Sequence, residues 1–408
     1  MLELKSCDVC GKESLGASID LGEHPLQDDL VSIGEARECE KYPTEVVFCD
    51  VCKTAHLRWQ LPKKTLFQPG YTHRSHQTPD VLRGMTDLVS SVEKQYGSLA
   101  DKRVLDIGCN DGSLLDEFRR HGAKTFGIEP TNAALEAQGK GHDVHQGFFD
   151  QKTASQMIER TGGKPDVITF TNVFAHIEEF QDILRAVKLL LKEDSNLVVE
   201  NHYLGAVLDK QQFDTFFHEH LRTYSYTSFL YIAKALGMHV DSVSFPERYG
   251  GNIRVFMRMG ATQNVNQQYV NQEADFANRL LRMGVQIKQW KQRKLAEITR
   301  ITENHGPIGA VALPARAPML FTLLDLTPSQ VACVWQIDGS AKIGNYVPGT
   351  RIPIVSDGTY DFSQSKPTDM LLNMAWHIPK DIETRWRSLG YKGKFVQIID
   401  EGDFRNND

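Results

Sequence analysis

Three groups of residues in this 408-residue chain have types and spacings that can do chemistry. The first is Cys7-Asp8-Val9-Cys10 together with Cys49-Asp50-Val51-Cys52. Two residues between cysteines let both sulfurs point at one ion from a tight turn. Two such knuckles supply the four thiolates of a tetrahedral zinc site. A four-cysteine shell leaves no open position, so the ion's expected role is structural. The second group is Val104-Leu105-Asp106-Ile107-Gly108-Cys109-Asn110-Asp111-Gly112-Ser113, an apolar run leading into Asp-x-Gly-x-x-x-Gly and a helix start. Glycines there let the backbone approach a ligand at the carboxyl end of a strand. Glu129 lies 21 residues beyond Gly108, at the end of the next apolar run, where an acid can accept both ribose hydroxyl hydrogen bonds. Asn172 comes after a further such run. The third group is His218-Glu219-His220. Imidazole removes a proton near neutral pH, and an adjacent carboxylate can orient it. The spacing is not His-Glu-x-x-His, so no metal site is read here. His176 lies past the preceding strand-like run, at the same end.

These residues need elements to hold them. Leu82, Met85, Val89, Val92 and Tyr96 recur at helical spacing and predict a helix over 80–96, stopped by Gly97. Apolar runs at 104–107, 125–128, 167–171 and 197–200 alternate with helical stretches near 113–121, 131–138, 151–159 and 179–192. That alternation predicts a parallel sheet covered on both faces. After a helix over 226–236, runs 238–245 and 252–259 flank the Arg248-Tyr249-Gly250-Gly251 turn and predict an antiparallel pair at the sheet edge. Residues 266–303 read as one long helix, broken near Gly284 and ended by Gly306-Pro307. Strands at 308–313, 331–337, 369–372 and 394–398, with helices near 316–324 and 378–388, predict a second α/β domain. The expected fold class is therefore α/β, in four parts: a small N-terminal zinc-binding domain (1–75), a central Rossmann-like domain (76–262), a linking helix (263–305) and a smaller C-terminal Rossmann-like α/β domain (306–408).

Composition narrows the function. Hydrophobic residues at 41% and charged residues at 24% are globular values, which excludes wholesale disorder. A net charge of -6 argues against a dedicated nucleic-acid binder, and the basic run 288–294 reads as a solvated helix face. No apolar run approaches the ~18 residues that span a bilayer, so no membrane partner is expected. The first residues show no basic region followed by an apolar stretch, so no signal peptide is read. Seven cysteines, an odd number, do not resemble a secreted disulfide framework, and a cytoplasmic location is expected. Oligomeric state is left open.

Strand, glycine loop and acid in this register resemble the S-adenosylmethionine site of class I methyltransferases, with Asp106, Gly108, Asn110, Gly112, Glu129 and Asn172 on the cofactor. All three groups, in this order, resemble the nucleotide-sugar C-methyltransferases of antibiotic deoxysugar pathways. The resemblance runs over essentially the whole chain. It includes Leu66-Phe67 with Tyr71, Asn172-Val173 with His176, Glu200 with Tyr203, Gly250-Gly251 with Arg254, the 346–354 run and Ala375-Trp376. It implies a zinc domain, a methyltransferase domain and a C-terminal Rossmann-like domain. It also implies methylation of the carbon beside the ketone of a nucleotide-linked keto-deoxysugar: a base removes the proton, donors hold the enolate, and the carbanion takes the sulfonium methyl. Carried over by motif, His220 is the base and Glu219 its partner. Tyr71 and His176 transfer protons or stabilise the enolate. Tyr203, Tyr249, Asn252, Arg254 and Arg316 bind substrate, and Cys7, Cys10, Cys49 and Cys52 hold zinc.

The chain departs from the family pattern at four places. Phe217 stands where the family has tyrosine, and Tyr249-Gly250-Gly251-Asn252 replaces His-Gly-Gly-Ser. Loop 310–317 has lost its glycines, and Trp376-His377 replaces Trp-Asn. The first touches the proton-transfer scheme and the others the grip on substrate. Methylation of another acceptor (an oxygen or a small metabolite) and a non-catalytic binding role are the alternatives these changes leave open.

Overall fold

A computed structural model describes residues 1–67, 74–77, 79–260, 264–400 and 402–404. The chain folds into two units. Met1–Ala17, Val47–Val207 and His218–Asn278 form the first; Ser18–Val46, Leu208–Phe217 and Arg279–Asp408 form the second.

The first unit is built on a seven-stranded sheet. Its strands are β1 (Arg103–Ile107), β2 (Lys124–Glu129), β3 (Asp143–Gln146), β4 (Val167–Thr171), β5 (Asn196–His202), β6 (Met238–Ser244) and β7 (Asn252–Met259), in the order β6-β7-β5-β4-β1-β2-β3. The five strands from β5 to β3 run parallel. β7 is antiparallel to both β5 and β6, which puts the expected pair at the edge. Alternation along each strand sorts side chains onto two cores. Leu105, Ile107, Ile168, Phe170, Leu197 and Val199 pack with Phe180, Leu184 and Val187 of helix Phe180–Leu190. Val104, Val167 and Val198 pack on the other face with Leu88, Val89 and Val92 of helix Pro79–Tyr96. A sheet covered on both faces buries almost every strand residue, so these strands are near-continuous apolar runs.

The long helix breaks elsewhere than expected. It divides into Gln267–Glu273 and Phe276–His305, with Gly284 inside the second piece. The cause is Glu273. Its buried carboxylate accepts from the Tyr226 and Thr227 amides at 2.6 and 2.9 Å and from Thr227 Oγ1 at 2.6 Å. That pins the end of the first piece to the start of helix Tyr226–Leu236, where unpaired amides and the helix dipole favour an anion. Gly284 serves a close approach: a Cβ there would stand 2.7 Å from Ile19 Cγ2.

The second unit holds a five-stranded parallel sheet. Its strands are β8 (Ile308–Val311), β9 (Val331–Gln336), β10 (Ile354–Ser356), β11 (Met370–Asn373) and β12 (Lys394–Gln397), in the order β10-β9-β8-β11-β12. β8 stops two residues short of its expected end because Ala312 turns to φ 63°. β10 is an addition to the strands expected from the sequence. Among the described residues, no helix is long and apolar enough to cross a membrane.

Candidate active site

The cysteine knuckles fold as tight turns. Gly11 (φ 73°) and Lys53 (φ 57°) take left-handed conformations just past Cys10 and Cys52. Gly11 N–H donates to the Cys7 carbonyl and Lys53 N–H to that of Cys49. Cys7 and Cys52 sulfurs lie 3.3 Å apart, Cys10 and Cys49 sulfurs 3.6 Å, and all four are mutually within 4.8 Å. Tetrahedral zinc with bonds of ~2.3 Å needs sulfurs ~3.8 Å apart, so the donor set fits that ion. Three polar groups surround the sulfurs. His56 Nε2 is 3.2 Å from Cys7, while Ser14 Oγ and Thr54 Oγ1 are each 3.1 Å from Cys49 and Cys52 respectively. Such partners orient thiolates and temper their charge.

The second site forms where β1, β2 and β4 end. Gly108 (φ 74°), Asn110 (φ 50°) and Gly112 (φ 78°) carry the loop through left-handed backbone. A Cβ on Gly108 would stand 2.4 Å from Val173 Cγ2, and one on Gly112 2.9 Å from the Ala137 Cβ. Asp111 is buried just before the following helix, whose N-cap is Gly112, and accepts from Ser113 N–H and Oγ at 3.0 and 2.6 Å. Glu129 closes β2. One of its oxygens accepts the Asn110 amide at 3.0 Å, and the other accepts the Thr131 amide and hydroxyl at 2.9 and 2.7 Å. Asp106 is buried opposite Thr169, whose hydroxyl donates to it at 2.6 Å; burial pushes its carboxyl up to about 7. Asn172 (φ 54°) accepts from Asn252 Nδ2 at 3.3 Å. Thr171 Oγ1 and Asn172 Nδ2 are buried without a partner among the described residues. Buried polar atoms of that kind call for a ligand or water.

Val173, which packs over Gly108, begins the short turn Phe174–His176. His176 Nδ1 lies 2.8 Å from the Glu219 carbonyl. A carbonyl only accepts, so Nδ1 carries a proton. Nε2 then has a lone pair when the ring is neutral and donates when it is charged. The His176 ring meets the His220 ring at 5.0 Å between centroids, and Phe67 stands edge-on to His176 at 5.4 Å. His218, Glu219 and His220 are all buried. A third imidazole, His202 at the end of β5, also lies 5.0 Å from His220. The spacing of residues gives no hint of it. Its one signal in the sequence is position, at the end of an apolar run and between Glu200 and Tyr203.

The residues assigned to substrate are spread more widely. Tyr249 (φ 55°) is half-buried with its ring 5.7 Å from that of His202, and desolvation raises its phenol. Asn252 donates to Glu200 at 3.0 Å, and Arg254 Nε donates to the same buried carboxylate at 2.7 Å. Arg254 also pairs with Asp87 at 2.8 Å. This guanidinium is thus engaged inside the first unit, as a buried cation must be. The Tyr203 hydroxyl donates to Glu273 at 3.1 Å. Arg316 belongs to the second unit, where it pairs with Asp214 at 3.7 Å and donates to Gln212 and Thr215; Asp214 in turn accepts from Trp376 Nε1 at 2.8 Å. Tyr71 lies outside the described residues.

Comparison with known proteins bears on all of these groups. A zinc-binding domain matches residues 7–67, a methyltransferase domain 45–243 and a C-methyltransferase C-terminal domain 247–399. C-methyltransferase NovU of Streptomyces niveus is 26% identical over 416 aligned residues, covering 98% of this chain and 96% of that protein. The three matched domains, in this order, together span nearly the whole chain. The chain is also similar to a ubiquinone biosynthesis O-methyltransferase of Pseudomonas aeruginosa (strain LESB58), with 35% identity over 107 residues; that stretch is 26% of this chain and 45% of that protein. Among solved structures, magnesium protoporphyrin IX methyltransferase from Synechocystis PCC 6803 aligns with 44% of this chain and 84% of its own, at 18% identity and a TM-score of 0.35. The protein is an S-adenosylmethionine-dependent methyltransferase with a zinc-binding domain. The left-handed glycine loop, Glu129 and the unpartnered atoms of Thr171 and Asn172 fit that cofactor.

Proposed function

We propose that this C-methyltransferase acts on the carbon beside the ketone of a nucleotide-linked keto-deoxysugar, with His220 as the general base. The observation carrying this reading is the contact of the His176 and His220 rings, 5.0 Å apart, with His176 ending a turn that starts over Gly108. A C–H beside a ketone is a weak acid, so methylating it requires a base at the carbon and donors at the developing oxyanion. Bound S-adenosylmethionine supplies the electrophilic methyl group.

The chain's own residues supply the rest. His220 takes the proton on a ring nitrogen while neutral. Glu219 fixes the neighbourhood through its main chain, since its carbonyl orients His176. His176 is assigned the part of hydrogen-bond donor to the developing enolate oxygen. Burial of the His-Glu-His segment keeps water from the carbanion. Phe217 brings no hydroxyl, so the proton chemistry falls to the imidazoles and Tyr71.

The test is mass spectrometry on the enzyme with a panel of nucleotide-linked 4-keto-6-deoxysugars in heavy water, with and without S-adenosylmethionine. Deuterium is expected beside the ketone without cofactor and a carbon-bound methyl with it. His220→Ala should abolish both, a loss of about 10²–10⁴-fold, while cofactor binding persists. A methyl found on oxygen, or no exchange across the panel, would overturn the reading in favour of another acceptor.

A further inference from the structure

We propose that His202 is a proton relay that empties His220 after each turnover, an inference that rests on His220 being the base. Carbon methylation by a sulfonium releases one proton per cycle. The substrate C–H becomes C–CH3, the sulfonium becomes a neutral thioether, and the positive charge leaves as H⁺. That proton first sits on His220, a buried side chain. Among the described residues, the rings of His176 and His202 both meet that of His220, each at 5.0 Å and tilted by 55° and 56°. His176 Nδ1 is committed to the Glu219 carbonyl. His202 extends the row on to Tyr249, 5.7 Å away.

The surroundings of His202 suit a group that holds a proton briefly. His220 faces it from the His-Glu-His segment. Tyr249 faces it from the 248–250 turn, with the Arg248 guanidinium 5.0 Å from the Tyr249 ring. Asn252 is its register partner on β7. Glu200, two residues back on the same strand, is engaged by Arg248, Asn252 and Arg254. The Tyr249 phenol stays protonated, since desolvation raises it. In the transfer, the His220 N–H bond breaks and its electron pair stays on His220. The lone pair of a His202 nitrogen forms the new N–H, and water takes that proton in turn.

The experiment compares the full-length enzyme with His202→Asn and His202→Gln. It follows the first turnover by rapid quench, later turnovers by product and by a pH indicator, and cofactor binding by calorimetry, with and without added imidazole. In the variants the first methyl transfer should keep wild-type speed while steady-state turnover falls about tenfold or more. Free imidazole should restore the variants and leave the wild type unchanged. Turnover within about twofold of wild type, equal slowing of first and later cycles without rescue, or loss of cofactor binding in both variants would each overturn the relay, the last by making His202 structural. A wild type that forms no carbon-bound methyl would instead overturn the reading of His220, and the relay with it.

Discussion

Asp8, inside the first cysteine knuckle, forms an ion pair with Arg222, two residues beyond His220. The same buried guanidinium donates to the carbonyls of Ile177 and Glu178, which directly follow His176, and lies 5.0 Å over the Phe180 ring. One side chain thus ties the knuckle to both segments that bring imidazoles together. Asp8→Ala would leave that cation buried without its anion, at an expected cost of about 3 kcal/mol. Asp8→Asn keeps an oxygen to accept and should cost less. Urea denaturation should rank the two variants in that order, and turnover should fall with the same ranking. Equal stability of both to wild type would show that the carbonyls alone satisfy Arg222.

Metal content should depend on the knuckles themselves. Purified protein should carry about one zinc per chain, and a strong chelator should lower its melting temperature. Cys49→Ser should do the same, because Cys49 is fully buried beside Cys10 and Ser14. Elemental analysis with calorimetric melting checks both. A metal-free protein melting at the same temperature would remove the structural role.

Gly108 and Gly139 make a matched pair. Gly108 needs φ 74° and has Val173 where its Cβ would go, whereas Gly139 ends a helix with nothing within 4 Å. Gly108→Ala meets left-handed strain of about 1–2 kcal/mol and pushes Val173, the residue that begins the turn to His176. It should weaken cofactor binding at least about tenfold, measured by calorimetry. Gly139→Ala should bind normally and gain about 0.5 kcal/mol of stability. Identical behaviour of the two would mean that the loop tolerates a side chain.

The knuckles, the Asp106–Gly112 loop and Glu129 are legible in the sequence because short spacings, and the residues at the ends of apolar runs, spell out their chemistry. His202 is not. Its meaning comes from β5 ending where the His-Glu-His segment passes, and nothing local marks that. Glu200 and Asp87, the partners of Arg254, are likewise set by sheet register and by helix packing on the sheet. The break after Glu273 is hidden for the same reason. Glycine points to position 284, but the deciding bond joins Glu273 to amides some 47 positions earlier in the chain. The strand and helix pattern itself is plain, since two apolar cores impose their periods directly on the sequence.

Asp106 should give the folded protein a specific pH dependence. Burial is the main cause of its rise to about 7; nearby Glu129 adds to it, and the Thr169 hydroxyl opposes it. In the unfolded chain the same carboxyl titrates at about 3.9. Between those values the folded state holds a proton that the unfolded state has lost. The folded state therefore binds more protons, and stability falls as pH rises. The contribution is fully present below about pH 4 and is lost as pH passes through about 7, a change on the order of 4 kcal/mol. Asp106→Asn carries no titrating proton and still offers an oxygen to Thr169. Its urea-denaturation free energy should vary less with pH across that window and should exceed that of the wild type above it. Parallel curves for the two proteins would show that Asp106 stays ionised, held by a partner stronger than Thr169.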